Sequence, residues 1–98
     1  MQRTVFFISD STGITAETIG NSILAQFEGV KFDKHRLPFT DNAHKAEVAA
    51  LRIKTNYAQS GQRQIGVNTM ADRAVCDIVA TSGALMLDVF APFIGPLE

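Results

Sequence analysis

One cysteine, no tryptophan, one tyrosine and three prolines in 98 residues leave this chain few chemical devices. A single thiol, Cys76, excludes an internal disulfide and a cysteine-based zinc site, and it fits a reducing compartment. No apolar run approaches the ~20 residues needed to cross a bilayer, and Thr4 to Ile8 is too short for the core of a signal peptide. The expectation is a cytoplasmic protein with no membrane partner. Neither sign of charge is in excess: nine Lys and Arg against ten Asp and Glu leave −1. The basic residues are scattered, so bulk electrostatics favours no nucleic acid partner. Neither GxxxxGK[ST] nor GxGxxG occurs. With only His35 and His44 available, no Ser–His–Asp or Cys–His set can be argued, and no metal site is expected.

What is present is apolar content of 46%, enough for one small domain over residues 1–98. The chain is organised around Ser9-Asp10-Ser11-Thr12-Gly13-Ile14-Thr15-Ala16-Glu17. An apolar, β-prone segment, Thr4 to Ile8, precedes it. A helical pattern with Ala16, Ile19, Ile23 and Phe27 on one face follows it. A buried strand thus feeds a hydroxyl- and glycine-rich turn, and the turn feeds a helix. Free backbone N–H groups then converge at the positive end of a helix dipole, which suits phosphate or another anion.

The remaining pattern alternates strand and helix. Strand 1 is expected over Thr4 to Ser9, and helix 1 from Thr12 or Thr15 to Phe27, with Gly29 as its stop. Strand 2 is expected within Val30 to Phe39. The phase of Val30 and Phe32 differs from that of Leu37 and Phe39, which suggests a bulge or two short pieces. Pro38 points to a sheet edge. Helix 2 is capped by Asp41 or Asn42 and buries Ala43, Ala46, Ala50, Ile53 and Tyr57. Strand 3 covers Gln64 to Asn68. Thr69-Met70-Ala71-Asp72 reads as a capping-box variant opening helix 3, whose buried face is Ala71, Val75, Ile78 and Val79. Strand 4 covers Ala84 to Val89, and a short helix or turn is expected up to Leu97. This order predicts an α/β fold: a three-layer α/β/α sandwich around a four-stranded parallel sheet, Rossmann- or flavodoxin-like, in strand order 2-1-3-4. The crevice of such a sheet opens at the switch point beside the Ser9–Thr15 turn.

Ser9, Asp10, Ser11, Thr12, Gly13 and Thr15 are therefore the candidate anion-binding residues. Gly13 permits close backbone approach or a positive φ. The alternative is that these residues only cap helix 1, since strand-to-helix turns carry Ser, Thr, Gly and Asp for that reason too. Asp10 is badly placed for an anion and suits fixing the turn or holding a cation. His35 and His44 are expected in solvent, as are Arg3, Arg36 and Arg63. Cys76 is expected in or beside the core. Asp88 is expected either on the crevice side or in water.

Two families share these residues. Ser9-x-Ser11-Thr12-Gly13-x-Thr15 resembles the flavodoxin loop that wraps the phosphate of FMN. Flavodoxins flank the flavin with aromatic rings, and here the only tyrosine, Tyr57, is expected on the buried face of helix 2. A broader resemblance spans the chain. Val5 to Glu17, Gln26-Phe27, Leu37-Pro38-Phe39 and Phe93-Ile94-Gly95-Pro96-Leu97-Glu98, in that order, are similar to the phosphoenolpyruvate synthase regulatory proteins. Their relatives that regulate pyruvate phosphate dikinase share the N-terminal motif.

That resemblance implies a bifunctional serine/threonine-protein kinase and pyrophosphorylase. It uses ADP to phosphorylate a threonine of the synthase, and it removes the phosphate with inorganic phosphate as acceptor, releasing pyrophosphate. ADP, phosphate and, as a candidate, Mg would serve the full-length protein, and no cofactor is expected in these 98 residues. The family's P-loop lies in a separate C-terminal kinase domain, so no catalytic residue carries over. The apolar stretch from Leu85 to Leu97 adds to the expectation of an N-terminal fragment cut near a domain boundary, inactive alone. Its expected partners are phosphoenolpyruvate synthase or pyruvate phosphate dikinase, its own C-terminal domain, or a second copy in a homodimer.

Overall fold

A computed structural model describes residues 2–89 of the chain. Seven elements alternate: β1 (Gln2–Ile8), α1 (Ile14–Leu24), β2 (Lys31–Leu37), α2 (Ala43–Ser60), β3 (Ile65–Asn68), α3 (Arg73–Ala80) and β4 (Leu85–Asp88). All pairings are parallel and the sheet order is β2-β1-β3-β4, as the element pattern predicts. The helix or turn expected towards Leu97 lies outside the described residues.

β1 is buried on both faces and divides the core in two. Phe6 and Ile8 point to one face, where Leu37, Ala46, Ala49, Ile53, Val75 and Val79 meet them under α2 and α3. Val5 and Phe7 point to the other face, with Ala16, Leu24 and Val67 under α1. Burial of each large side chain here contributes about 1.5–3 kcal/mol, which is why so short a strand can anchor three layers.

The helix faces depart from the expected ones. On α1 the buried residues are Ala16, Gly20 and Leu24, whereas Ile23 is exposed and Phe27 is 57% exposed. A Cβ at Gly20 would overlap the ring of Phe7, so close approach to the sheet selects the small residues. On α2 the stripe is Ala46, Ala49, Ala50 and Ile53. Ala43 is exposed, and Tyr57 is 41% exposed. The buried stripe ends at Ile53, and Tyr57 lies instead beside Arg63 and the Ser82–Gly83 loop.

β2 runs as one strand in unbroken register from Gln2↔Lys31 to Ile8↔Leu37, with no bulge. Phe32 packs with the α1-side core and Leu37 with the α2-side core, so the shift in apolar phase reflects two faces of one edge strand. The opening of α3 also differs. Asp72 is itself the N-cap, accepting from the amides of Ala74 and Val75, and Ala71 is exposed outside the helix. Asn42 caps α2 by accepting from the amide of Lys45.

Candidate functional site

β1 delivers the chain to the carboxyl edge of the sheet at Ser9. From β1 the sheet extends to β2 on one side and to β3 on the other, so the β1–α1 turn sits at the topological switch point. Ser9 is buried, and its Oγ accepts from the amide of Ser11 at 3.1 Å. Its carbonyl accepts from the amide of Thr40, and the Ser11 carbonyl accepts from the amide of Phe39, both at 2.8 Å. The β2–α2 loop is thereby clamped to the turn. On the other side the Asp10 carboxylate accepts from the amide of Ala71 at 3.3 Å. Asp10 therefore fixes the turn to the β3–α3 loop.

Gly13 is the N-cap of α1, with φ at 86° and no side-chain cap. A residue with a Cβ is strained in that left-handed conformation. The amides of Ile14 and Thr15 open the helix without intrahelical acceptors. Ser11, Thr12 and Thr15 are exposed. The Ser11 hydroxyl lies 3.3 Å from that of Ser9, while the side chains of Thr12 and Thr15 make no hydrogen bond among the described residues. All six expected site residues thus lie on one turn, with Ser9 and Asp10 committed to holding it. Ser11, Thr12, Gly13 and Thr15 face outward or supply backbone.

The sequence reading missed Arg36. Its stem lies over Gly13, where an added Cβ would come within 3.2 Å of Arg36 Cδ, and its guanidinium pairs with Glu17 of α1 at 2.7 Å. Arg36 is half exposed and Glu17 36% exposed, so the pair is weak and exchangeable. The signal lay in strand alternation: Arg36 is in register with Phe7, so it shares the α1 face.

The other titratable groups stand apart from the turn. His35 is half-buried: one side stacks on Phe6 at 5.3 Å, and its ring bonds the exposed Asp33 at 3.0 Å. His44 is exposed in the first turn of α2. Arg3 donates to the Arg63 carbonyl, and Arg63 donates to the Gly83 carbonyl. Cys76 is buried between Asn68, which donates to its Sγ at 3.2 Å, and the carbonyl of Met70. Burial pushes this thiol above its ordinary range against the opposing pull of the Asn68 bond, and the negative charge of Asp88 adds to the rise. Asp88 itself ends β4 half-buried, in register with Asn68. Among the described residues no group of three or more His, Cys, Asp or Glu is placed to hold a metal ion, and no helix is long and apolar enough to cross a membrane. Tyr57 lies near the far end of α2, about 20 Å of helix from the carboxyl edge, so it cannot flank a flavin at the turn.

A second surface lies under α1. Among the described residues a mainly apolar groove of about 420 Å³ runs between the helix and the sheet, lined by Ile23, Phe27, Phe32, Leu85 and Leu87 among others.

The model of a family described as Kinase/pyrophosphorylase matches residues 5–98. Among similar curated proteins is one named as a phosphoenolpyruvate synthase regulatory protein in Xanthomonas campestris pv. campestris (strain B100). It is 54% identical over 96 residues, which is 98% of this chain and 35% of the relative. Similarly named proteins of Xanthomonas oryzae pv. oryzae (strain MAFF 311018) and Stenotrophomonas maltophilia (strain K279a) are each 53% identical over the same shares. The chain spans about a third of the length of these relatives.

Proposed function

Because this chain belongs to the kinase/pyrophosphorylase family, we propose that it is the N-terminal domain of a cytoplasmic, bifunctional regulator of phosphoenolpyruvate synthase. In this reading the full-length protein transfers a phosphoryl group from ADP to a threonine of the synthase, and it removes that group with phosphate to give pyrophosphate. In this reading the domain, whose 98 residues contain no GxxxxGK[ST], carries no kinase activity alone. The phosphoryl-transfer residues belong to a C-terminal P-loop domain, which also holds ADP and any Mg²⁺. The alternative target is pyruvate phosphate dikinase.

Within that protein the Ser9–Thr15 turn receives an anion, phosphate or pyrophosphate. The observation that carries this is the uncapped N-terminus of α1 at a positive-φ glycine, beside an exchangeable Arg36–Glu17 pair. Amides, the hydroxyls of Ser11 and Thr12 and a movable guanidinium then meet at the switch point. Calorimetric titration with phosphate, pyrophosphate and ADP, beside a Ser11→Ala/Thr12→Ala variant, tests it. Saturable binding lost in the variant is expected; heat flow that is flat in both proteins reduces the turn to a helix start.

The apolar groove under α1 favours a second, compatible role in assembly. Its exposed Phe27 and Leu85 suit a packed partner surface, either the C-terminal domain or a second copy of the chain. Light scattering on wild-type protein and on a Phe27→Ser/Leu85→Ser variant checks it: self-association is expected to weaken in the variant, and a monomer in both argues against the homodimer.

A further inference from the structure

An open groove of about 390 Å³ lies between the loop of residues 38–40 and the first turns of α2. Its lining includes three apolar side chains, Pro38, Phe39 and Val48, and three basic ones, His44, Lys45 and Arg52. Phe39 and Val48 are 53% and 55% exposed. Among the described residues no carboxylate lines the groove. Asp41 at its margin pairs with Lys45 at 3.2 Å between half-exposed side chains, a contact that a competing anion exchanges readily. Arg52 lies 5.8 Å from the centre of the Phe6 ring and makes no ion pair among the described residues. Arg36 closes one end, but its guanidinium is turned to Glu17.

Phe39 stands out in the backbone. It is the one non-glycine residue with positive φ among the described residues, at 57°, a region costly for a bulky side chain. The bonds from its amide to Ser11 and from Thr40 to Ser9 hold it there. Strain held in place by its surroundings gathers where geometry serves something besides stability. Here it keeps an apolar ring at the mouth of a basic groove, away from either core.

We propose that this groove docks an acidic segment of a partner protein. An apolar anchor of that segment packs on Phe39 and Val48, and its carboxylates meet Lys45, Arg52 and His44. Charge complementarity selects this occupant. The groove is open, which suits an extended polypeptide better than an enclosed small molecule. The chain as a whole, at −1, offers no field for nucleic acid. The proposal rests on the reading that the full-length protein acts on another enzyme, and it names the surface that recognises it.

The test uses the full-length protein and purified phosphoenolpyruvate synthase, with affinity measured by interferometry and modification by phosphate incorporation. Two chemically independent variants are compared with wild type: Lys45→Glu/Arg52→Glu, and Phe39→Gly, which removes the ring while relieving the backbone. Both are expected to weaken binding at least about ten-fold and to raise KM for the synthase with kcat unchanged. The charge variant also flattens the salt dependence of binding. A Lys54→Glu/Arg73→Glu control carries the same charge change outside the groove and is expected to bind as wild type does. Variants that bind within about two-fold of wild type, or a control that loses as much, overturn the groove. Wild-type protein that neither binds nor modifies the synthase overturns the functional reading, and this proposal with it.

Discussion

The stem of Arg36 lies across the α-carbon of Gly13, joining the edge strand β2 to the first turn of α1. An added Cβ at Gly13 would meet Arg36 Cγ and Cδ at 3.3 and 3.2 Å, on a backbone already at φ 86°. Gly13→Ala is therefore expected to destabilise the domain by about 1–2 kcal/mol. Arg36→Ala, which removes a partly exposed pair with Glu17 and the stem lying over Gly13 but leaves the backbone unstrained, should cost less, about 1 kcal/mol or below. Urea denaturation separates them. Equal losses would mean that the backbone at Gly13 carries no strain.

Gly20 makes the opposite point about helix α1. In a free helix, alanine is favoured over glycine by about 1 kcal/mol. Here the added methyl would overlap the ring of Phe7, which is buried and cannot swing away, and overpacking costs about 1–3 kcal/mol. The net expectation for Gly20→Ala is destabilisation, read as a lower Tm. A rise in Tm would show that α1 can shift on the sheet.

The two observed caps are predicted to be equivalent in size. Asn42→Ala and Asp72→Ala each remove a side-chain acceptor from helix-opening amides and should each cost about 1 kcal/mol. In a domain of this size that is a fall in Tm of about 4–8 °C. Asp72→Asn keeps an acceptor and should lose much less than Asp72→Ala.

On α2, Ile53 is fully buried whereas Tyr57 is 41% exposed. Ile53→Ala should cost about 2–5 kcal/mol, and Tyr57→Ala about 0.5 kcal/mol or less. Thermal unfolding of the pair distinguishes the observed helix face from one running through Tyr57.

Cys76 gives a pH dependence. Burial holds its folded-state pKa above the ordinary thiol value, so the folded protein keeps the proton longer than the unfolded chain does. This contribution is fully present below the ordinary thiol range and is lost as pH rises through and above it. Stability should therefore fall at alkaline pH, and Cys76→Ser should flatten that part of the profile. The native thiol should react slowly with a disulfide reagent at neutral pH. Rapid labelling without unfolding would contradict the burial.

The sequence by itself determined the order of elements, the parallel sheet and its strand order. The first two rest on local periodicity, and the strand order on a first strand apolar on both faces and a second that runs into Pro38; these signals survive errors of a residue or two at boundaries. It also determined that the Ser9–Thr15 turn stands at the switch point, because the buried run Val5 to Ile8 makes β1 central. Only the tertiary structure decided which helix faces are buried. On α1, contact with Phe7 selected Gly20 and Ala16 over the bulkier Ile23 and Phe27; on α2, the buried stripe ends at Ile53 and Tyr57 stands partly exposed beside Arg63 and the Ser82–Gly83 loop. Tertiary structure alone also brought Arg36 over Gly13, Asp10 to the amide of Ala71, and Phe39 into a strained loop clamped by Ser9 and Ser11. Asp10 and Ala71 lie 61 residues apart, and no local pattern encodes a contact across that distance. It arises only when the sheet places three loops at one edge.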